Sequence, residues 1–383
     1  MYQSIIIGCG FAGAVMARQL AEKNGQSVLV IDSRNHVGGN CYDRKDEYGI
    51  LVHQYGPHIF HTDIKKVYGY LSRFTEWYNY RHEVVGNIYG KELPIPFNLN
   101  TLKMVYGEEK GAKLEKLLID EFGKEARVSI LELMNHENEE LREIGSYVYE
   151  NIFLKYTMKQ WGKTPKEIDP AVVGRVPVLL SYDNRYFQST YQGLPLHGFT
   201  PLFDKMLDFE GIEVRLNTNA KDVLTIDPAG EHKVLFEGKP FEGNVIFTGA
   251  LDELFDCRFG RLPYRSLRFD FEHYDKPFYQ SHGVVNYTVT EDFTRITEFK
   301  YLSGQLDASD TTIIKEYPMA YEGQNGQIPY YAINNDANQA LYEKYKELVQ
   351  TIPHFYCLGR LAEYKYYNID AIVNEALLLA ERL

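Results

Sequence analysis

The hydrophobic pattern at the start of the chain predicts a strand, a helix and a second strand in close succession. Residues 5–7 are an isoleucine run of the kind that fills a buried parallel strand. Good helix formers without a breaker occupy 14–22, and a second apolar run covers 27–31. A glycine-rich turn joins the first strand to the helix, so this order is typical of a Rossmann-like α/β domain.

Later segments predict a helical block and then a sheet. Residues 65–77 have a helical pattern, and the glycine and prolines of 87–97 indicate a short hairpin. From 101 to 160 the sequence is charged, helical and almost free of proline, with a capping box that starts at Ser129. Aromatic residues then alternate along 264–317, which predicts an antiparallel sheet.

The remaining segments are predicted to return the chain to the first domain. A helix opens with Thr200 as its N-cap and Pro201 at its first position. Short strands are expected at 212–216, 223–226, 233–236, 244–248 and 355–359, with helices at 338–349 and 371–383.

The turn after the first strand carries the spacing Gly-x-Gly-x-x-Gly at Gly8, Gly10 and Gly13. Gly8 permits the tight turn, Gly10 lets a diphosphate approach the backbone, and Gly13 lets helix and strand pack closely. Free N–H groups of the first helical turn attract the anion. Asp32 ends the second strand, where it can accept a hydrogen bond from a ribose hydroxyl. The pattern predicts a dinucleotide site, because an ordinary glycine turn would leave the acid unexplained.

A second glycine pair, Gly38 and Gly39, follows Arg34. It would let another backbone segment approach a cofactor, while Arg34 brings positive charge near the diphosphate. Taken alone, Arg34 is more simply a solvated surface residue. An NAD site needs only the first signature. The added Arg-x-x-x-Gly-Gly resembles the second fingerprint of a superfamily of FAD-binding proteins that includes the amine oxidases, and we therefore predict FAD.

The composition of the chain limits the kinds of binding partner that we expect. The formal charge of −12 argues against nucleic acid or an anionic membrane, so an anionic ligand must be held by local arginines. No apolar run approaches the ~18 residues of a membrane span, and the glycine-broken start is not expected to be a secretory signal. The cysteines, Cys9, Cys41, Cys257 and Cys357, are scattered and favour a reducing cytoplasm.

Neither a metal site nor a side-chain nucleophile is predicted. His58 and His61 lack an obvious third ligand, so a histidine near the flavin is the better interpretation. No convincing Ser-His-Asp or Cys-His arrangement occurs. The remaining candidates are arginines and aromatic residues, each of which, taken singly, is more simply structural. They are Tyr156, Trp161, Arg175, Tyr186, Arg265, Arg295, Tyr331, Arg360 and Tyr366.

The order of the motifs along the chain favours a functional interpretation of these residues over a structural one. Segments 56–61, 161–163 with Arg175, 264–269, 293–296, 329–331 and 359–367 follow one another along the chain. Together with the N-terminal signatures they resemble the bacterial UDP-galactopyranose mutases over essentially the whole sequence. The helical block after Asn100 carries little of this resemblance.

The resemblance implies an isomerase that interconverts UDP-galactopyranose and UDP-galactofuranose on non-covalently bound, reduced FAD. It implies a flavin N5–sugar iminium adduct, through which the sugar ring opens and recloses. A cofactor that supplies the nucleophile agrees with the lack of a side-chain nucleophile, and arginines would stabilise the UDP leaving group. It further implies a homodimer, a reductant such as NAD(P)H or a flavin reductase, and a product used in cell-surface glycans.

The resemblance also implies roles for individual residues. Arg175 and Arg295 would bind the diphosphate, and Tyr186, Tyr331 and Tyr366 would donate hydroxyls to it. Tyr156 would stack on uracil beside Thr157 and Trp161, Arg265 would be a further cation, and His58 would act close to the flavin ring. The FAD-binding set is Gly8, Gly10, Phe11, Gly13, Asp32, Arg34, Gly38, Gly39, Asn40, His58, Ile59, Arg360, Tyr367 and Asn368. Asn368 replaces an acid found in many members, which leaves the flavin potential open.

The predicted fold class is α/β, with a Rossmann-like FAD-binding domain, an inserted helical domain and an antiparallel β-sheet domain. The FAD-binding domain is expected to be discontinuous, over 1–80, 191–250 and 336–383. The helical domain covers 100–162, with a mobile loop to about 175, and the sheet domain for the substrate covers 81–99, 176–190 and 251–335. We expect the insertions to face the cofactor domain across a cleft.

Two other functions compete. A flavin oxidoreductase of the amine oxidase or desaturase type would explain both glycine signatures but not the pair Arg175 and Arg295, because its substrates have no diphosphate. A nucleotide-sugar-binding protein without turnover is the second alternative, which the intact glycines, Arg34 and Arg360 disfavour. The sequence leaves open the tolerance for other UDP-sugars, the reductant and the glycan that uses the product.

Overall fold

The computed structural model describes residues 2–162 and 177–383. These residues form two compact units. Unit 1 consists of three segments, 2–79, Ser189–Ser266 and Tyr321–Leu383. Unit 2 consists of the described parts of Tyr80–Gln188 together with Leu267–Ala320. The predicted helical block and most of the predicted aromatic-rich sheet fall in unit 2, and the finer domain limits stay a prediction.

Most of the strands are short, and they are spread over the whole described part of the chain. In chain order the strands are β1 (Ser4–Ile7), β2 (Val28–Ile31), β3 (Asp43–Lys45), β4 (Leu51–His53), β5 (Phe60–Thr62), β6 (Trp77–Tyr78), β7 (Val84–Ile88), β8 (Lys91–Ile95), β9 (Arg127–Ser129), β10 (Pro177–Leu179), β11 (Tyr191–Pro195), β12 (Ile212–Arg215), β13 (Leu224–Ile226), β14 (Val234–Phe236), β15 (Lys239–Pro240), β16 (Asn244–Phe247), β17 (Tyr264–Tyr274), β18 (Val284–Tyr287), β19 (Arg295–Glu298), β20 (Thr311–Ala320), β21 (Tyr331–Ala332) and β22 (Phe355–Cys357).

The helices are short except for α1, α4, α12 and α13 in the following series. They are α1 (Phe11–Asn24), α2 (Lys65–Leu71), α3 (Leu99–Tyr106), α4 (Glu108–Phe122), α5 (Ile130–Met134), α6 (Glu139–Val148), α7 (Lys155–Trp161), α8 (Phe199–Leu207), α9 (Ala220–Val223), α10 (Leu251–Leu254), α11 (Phe299–Ser303), α12 (Asp336–Gln350) and α13 (Ile369–Ala380). A π-helical segment, Tyr149–Leu154, precedes α7, and a 3-10 turn covers Gly39–Cys41. No helix among the described residues has the length and apolar character needed to cross a membrane.

Unit 1 is built on a parallel sheet with the order β12-β2-β1-β16-β22. The side chains of β2 are buried throughout, and β1 is buried except for its last residue, as the apolar runs predict. The helices α1 and α13 pack against each other. This is the predicted Rossmann-like α/β architecture, and it brings the carboxyl ends of all five described strands to one edge of the sheet.

One prediction about unit 1 is wrong in detail. The helix expected over 65–77 ends at Leu71, because Ser72 terminates it and accepts a hydrogen bond from Trp77 Nε1 at 2.8 Å. Trp77 itself lies in β6, which pairs with β11. The strands expected near 224 and 234 are present in unit 1, where they form a small antiparallel sheet with β15 and do not extend the parallel sheet. Because these strands are so short, their sequence does not indicate which sheet they join.

The start of α8 also differs from the prediction. The N-cap is Gly198 and not Thr200, and the helix begins at Phe199, two residues before the predicted first position at Pro201. The acceptor for its first N–H groups is Asp43, a buried residue from β3, whose Oδ1 lies 2.8 Å from Thr200 N and whose Oδ2 bonds Phe199 N. By contrast, Ser129 accepts from Leu131 N at 3.2 Å, so that predicted cap is confirmed.

Unit 2 combines a sheet with a helical core. Its strands follow the order β17-β20-β19-β18-β7-β8. The pairs β18–β19 and β19–β20 are antiparallel, but β18 pairs with β7 in parallel, so the sheet is mixed rather than purely antiparallel. The parallel pair joins segments that lie about 200 residues apart in sequence, which no local pattern can reveal. Buried leucine, isoleucine and valine residues of 84–153 and 178–180 form its core.

Candidate functional site

The glycine turn of unit 1 leaves no room for side chains. Gly8 has φ +103°, and a Cβ there would lie 1.9 Å from Thr248 Oγ1. A Cβ on Gly13 would lie 1.9 Å from Gly8 O, because α1 packs directly on the turn. Gly39, at φ +57°, approaches Gly10 so closely that its Cβ would lie 3.0 Å from Gly10 Cα. The two glycine signatures therefore form one backbone cradle.

This cradle opens into a cavity of about 500 Å³. Most of the predicted cofactor residues line it: Gly8, Gly10, Phe11, Asp32, Arg34, Gly38, Gly39, Asn40, His58, Arg360, Tyr367 and Asn368. Gly13 and Ile59 are not among the lining residues. Segments 218–221 and 247–250 also line the cavity and were missed by sequence reasoning. Their signal was positional, because they follow the carboxyl ends of β12 and β16.

Asp32 and Arg34 shape one end of the cavity. Asp32 accepts from Cys9 N at 2.8 Å and from Arg34 N at 2.9 Å, so its carboxylate also fixes the backbone of both signatures. Arg34 Nη2 donates to Asn40 Oδ1 at 2.9 Å, and its guanidinium carbon lies 4.5 Å from the ring centre of Tyr55.

Arg34 Nη1 is buried and has no hydrogen-bond partner within the described residues. An orphaned cationic donor beside a glycine cradle is suited to a bound anion, which is what the diphosphate of a dinucleotide provides. The residues present therefore fit the predicted cofactor.

Two histidines lie at the cavity: His53 is buried, and His58, which lines the cavity, is partly buried. His58 N donates to His53 Nδ1 at 3.1 Å, and His58 Nδ1 lies 3.0 Å from Gly56 O. These bonds define the tautomers: His53 carries its proton on Nε2, and His58 donates from Nδ1. Burial lowers the pKa of His53 to about 4 and that of His58 to about 3, so both rings are neutral at pH 7.

A stack of side chains continues from the cavity in unit 1. Arg360 Nε donates to Tyr367 O at 2.7 Å, and its guanidinium carbon lies 4.4 Å from the ring centre of Tyr366. The rings of Tyr366 and Tyr331 lie 6.2 Å apart at 24°. Tyr331 faces Arg265 in the register of β21 with β17, and burial lowers the pKa of Arg265. The structure thus brings four predicted residues together.

A second group of predicted residues lies in unit 2. Arg295 Nη2 donates to Tyr156 OH at 3.0 Å, and Arg295 Nε donates to Asn286 Oδ1 at 3.3 Å. Arg295 Nη1 lies 3.9 Å from Glu316 Oε1. Burial raises the pKa of Glu316, and Arg295 opposes that rise. This arrangement presents a cation beside an aromatic ring, as recognition of a nucleotide requires.

The other predicted residues of unit 2 lie on neighbouring elements. Thr157 is buried on α7, and Trp161 ends that helix before Gly162 at φ +62°. Tyr186 N donates to His82 O at 2.7 Å, and the two rings are in edge contact. Arg175 lies outside the described residues.

Sequence reasoning missed Asn286 and Glu316. Both face Arg295 across the sheet, Asn286 from β18 and Glu316 from β20. Their only signal was the strand register, which a single sequence does not provide. Among the described residues no cluster of three or more histidine, cysteine, aspartate or glutamate side chains could hold a metal ion.

This chain is similar to known proteins in both sequence and structure. A family model described as UDP-galactopyranose mutase matches residues 151–366, and a model of an NAD(P)-binding Rossmann-like domain matches 6–74. The chain is 34% identical to a UDP-galactopyranose mutase of Mycoplasma pneumoniae, over 100% of this chain and 96% of that protein. It is 36% identical to a probable UDP-galactopyranose mutase of Klebsiella pneumoniae, over 98% and 93%. It is 35% identical to a dTDP-fucopyranose mutase of Escherichia coli, over 100% and 98%.

Solved structures show the same fold. A crystal structure of reduced UDP-galactopyranose mutase matches with a TM-score of 0.74 at 14% identity, over 100% of this chain and 93% of that chain. A putrescine oxidase with bound putrescine matches with a TM-score of 0.57 at 14% identity, over 100% and 98%. At such identities the likeness shows the fold alone.

Proposed function

Because the chain belongs to the UDP-galactopyranose mutase family of enzymes, we propose that it interconverts UDP-galactopyranose and UDP-galactofuranose with reduced FAD. The observation that carries this proposal is the contact of Arg295 with Tyr156 at 3.0 Å. It provides a cation for a diphosphate and an aromatic ring for a base, a pair that the amine substrate of a flavin oxidase does not need.

The proposed cofactor residues are those of the glycine cradle. Backbone N–H groups at the start of α1 and the orphaned Arg34 Nη1 would hold the diphosphate of FAD, with Asp32 near the ribose. Arg360, Tyr367 and Asn368 line the same cavity. When bound and reduced, the flavin would supply N5 as the nucleophile toward the anomeric carbon, as an adduct of the iminium type requires.

The protein's part in the reaction is to stabilise the leaving group. As the bond to the anomeric carbon breaks, negative charge develops on UDP, and Arg295 would bind it with Arg175. Tyr186, Tyr331 and Tyr366 are proposed as hydroxyl donors to the phosphates, and Arg265 as a further cation. Tyr156 is proposed to stack on uracil, with Thr157 and Trp161 beside it.

His58 is proposed to act near the flavin as a neutral imidazole. Its Nδ1–H is engaged with Gly56 O, so the ring can only accept at Nε2. Since burial lowers its pKa to about 3, it adds no positive charge to the cavity at pH 7. Positive charge in the cavity would then come from the cationic residues that line it, Arg34, Lys221 and Arg360.

The wider setting follows from the family likeness. We propose that the enzyme works as a homodimer in the cytoplasm and that NAD(P)H or a flavin reductase reduces it. Its product would supply galactofuranose for cell-surface glycans. The relative named dTDP-fucopyranose mutase supports a second candidate substrate pair, dTDP-fucopyranose and dTDP-fucofuranose, on the same chemistry.

Chromatography of UDP-galactofuranose after incubation with the purified protein, with and without dithionite, tests the proposal. We expect UDP-galactopyranose to form only with dithionite. Arg295→Ala should lose most of this activity while retaining FAD, whereas Arg268→Ala, an exposed arginine of β17, should not. Conversion of a dTDP-fucose alone would favour the second pair. Bound, reducible FAD without any conversion would favour an oxidoreductase or a binding protein.

A further inference from the structure

A partly buried lysine lies between two residues of the proposed UDP site. Lys159 is on α7, three residues after Tyr156 and two before Trp161. Its Nζ lies 2.5 Å from Tyr287 O, 2.9 Å from Glu291 O and 3.2 Å from Phe293 O. All three acceptors are main-chain carbonyls of one segment, which joins β18 to β19.

Three carbonyl oxygens that converge on one point need a cation or several donors. An ammonium group has three N–H donors on a single centre, so it suits this geometry better than the planar fork of an arginine. Burial lowers the pKa of Lys159, which Glu291 and Asp292 oppose and Lys155 reinforces. The turn 287–293 is therefore closed around an ammonium ion that the helix α7 supplies.

The turn leads directly into the proposed diphosphate-binding residue. Arg295 begins β19, two residues after the carbonyl of Phe293, and its guanidinium reaches back to Tyr156 on α7. A second bond joins the same two segments, because Thr288 Oγ1 donates to Asn151 O at 2.6 Å. Asn151 lies in the π-helical segment before α7, and such segments are frequent at functional sites.

We propose that Lys159 is a positioning residue for substrate: its ammonium fixes the turn 287–293 to α7 and so holds Arg295 at Tyr156. The inference rests on the proposed function, because it assumes that Arg295 and Tyr156 bind UDP. Lys159 acts through the backbone of the turn, and the effect of removing it is transmitted by Arg295.

The test compares Lys159→Met with Lys155→Met, a substitution on the same helix. For each holoenzyme one measures the Kd of UDP, the KM and kcat for UDP-galactofuranose with dithionite, and the flavin potential. Lys159→Met should raise the Kd and KM about tenfold, the scale of one misplaced charge-assisted hydrogen bond, without moving the flavin potential. Lys155→Met should stay within about twofold of the wild type, since the Lys155 ammonium lies 5.9 Å from the ring of Tyr89 and is not the group that holds the turn 287–293.

A double-mutant cycle separates positioning from general damage. In the background of Arg295→Ala, Lys159→Met should have almost no further effect on the Kd of UDP. Lys159→Ala should recover affinity when propylammonium is added, because a free ammonium ion can then occupy the turn; this variant also serves if Lys159→Met folds poorly.

Three results would overturn the inference. The first is a folded Lys159→Met with the Kd and KM of the wild type, and the second is independent, multiplying effects of Lys159→Met and Arg295→Ala. The third is that the wild type converts UDP-galactofuranose but Arg295→Ala binds UDP with unchanged affinity, since Arg295 would then not be a UDP-binding residue. A wild type that neither binds UDP nor converts the sugar would instead refute the proposed function, and the substrate role of Lys159 with it.

Discussion

Acidification should destabilise unit 1 through two histidines, His53, which is buried, and His58, which is partly buried. His53 accepts the N–H of His58 on Nδ1, so protonation of His53 would remove that acceptor. Burial lowers the pKa of His53 to about 4 and that of His58 to about 3, whereas an unfolded histidine titrates near its ordinary pKa of about 6.5. Between these values the unfolded chain binds more protons, and stability falls as the pH falls.

The magnitude follows from this difference in proton uptake. From pH 7.5 to pH 5.5 an unfolded imidazole becomes almost fully charged, while the two rings in the folded chain stay neutral. Integration of the proton difference gives about 1.3 kcal/mol for each histidine and about 2.6 kcal/mol for both. The loss begins near the unfolded pKa and is complete only below the folded one.

Urea unfolding at the two pH values measures the effect. The chain has two tryptophans, Trp77 and Trp161. In the Trp161→Phe background, fluorescence reports on Trp77, which stacks on Phe60 at 4.7 Å within unit 1. Each of His53→Gln and His58→Gln should reduce the pH dependence of the free energy of unfolding by about 1.3 kcal/mol.

The change in the free energy of unfolding between the two pH values is compared, and not its absolute value, because either substitution also changes packing. Only the pH-dependent part reports on protonation of the histidines. His232→Gln, at an exposed position, is the matched control and should leave the pH dependence as it is in the parent. A pH dependence that is as large as that of the parent in both His53→Gln and His58→Gln would refute the reasoning. So would imidazole NMR signals of these residues that titrate near pH 6.5.

Three further substitutions test other parts of the structure. Gly39→Ala should lower the flavin-to-protein absorbance ratio, because its Cβ would lie 3.0 Å from the Gly10 backbone; Gly49→Ala, at φ +84° with open space around it, should not. Asp43→Ala should destabilise unit 1 by about 2 kcal/mol in urea, since two N–H groups of α8 lose their acceptor, and an unchanged midpoint would contradict this. Glu316→Gln should raise the KM for the UDP-sugar about threefold while FAD stays bound, and an unaltered KM would show that this carboxylate does not orient its arginine neighbour.

The sequence predicts those parts of the fold whose causes are local. The glycine turn at Gly8 and Gly10, the flanking strands and α1 depend on residues within about 30 positions, and the structure has them where the pattern places them. The cap at Ser129 is equally local. These features follow from steric limits and hydrogen bonding that each segment carries by itself.

The features that sequence reasoning missed depend on pairs that are distant along the chain. Asp43 caps a helix 156 residues later, and the parallel pairing of β18 with β7 joins residues about 200 apart. Glu316 lies opposite Arg295 only because of the strand register. Lys159 contacts the segment before Arg295 only because of the way its helix packs. A residue of this kind has an ordinary local pattern, because its role is created by the fold.

The division of unit 1 into three chain segments has a consequence for how the protein is made. The central strand β1 is translated first, but its partner β16 follows about 240 residues later, and the cavity wall from Gly359 to Ile372 later still. In an emerging chain β1 can pair early with β2, but its other edge stays unpaired during most of translation, when a chaperone can bind it. Cofactor capture must wait until α13 has left the ribosome and packed on α1. The supply of flavin then affects only the last step of folding. A chain that stops before Gly359 should accumulate without bound flavin and therefore without its yellow colour.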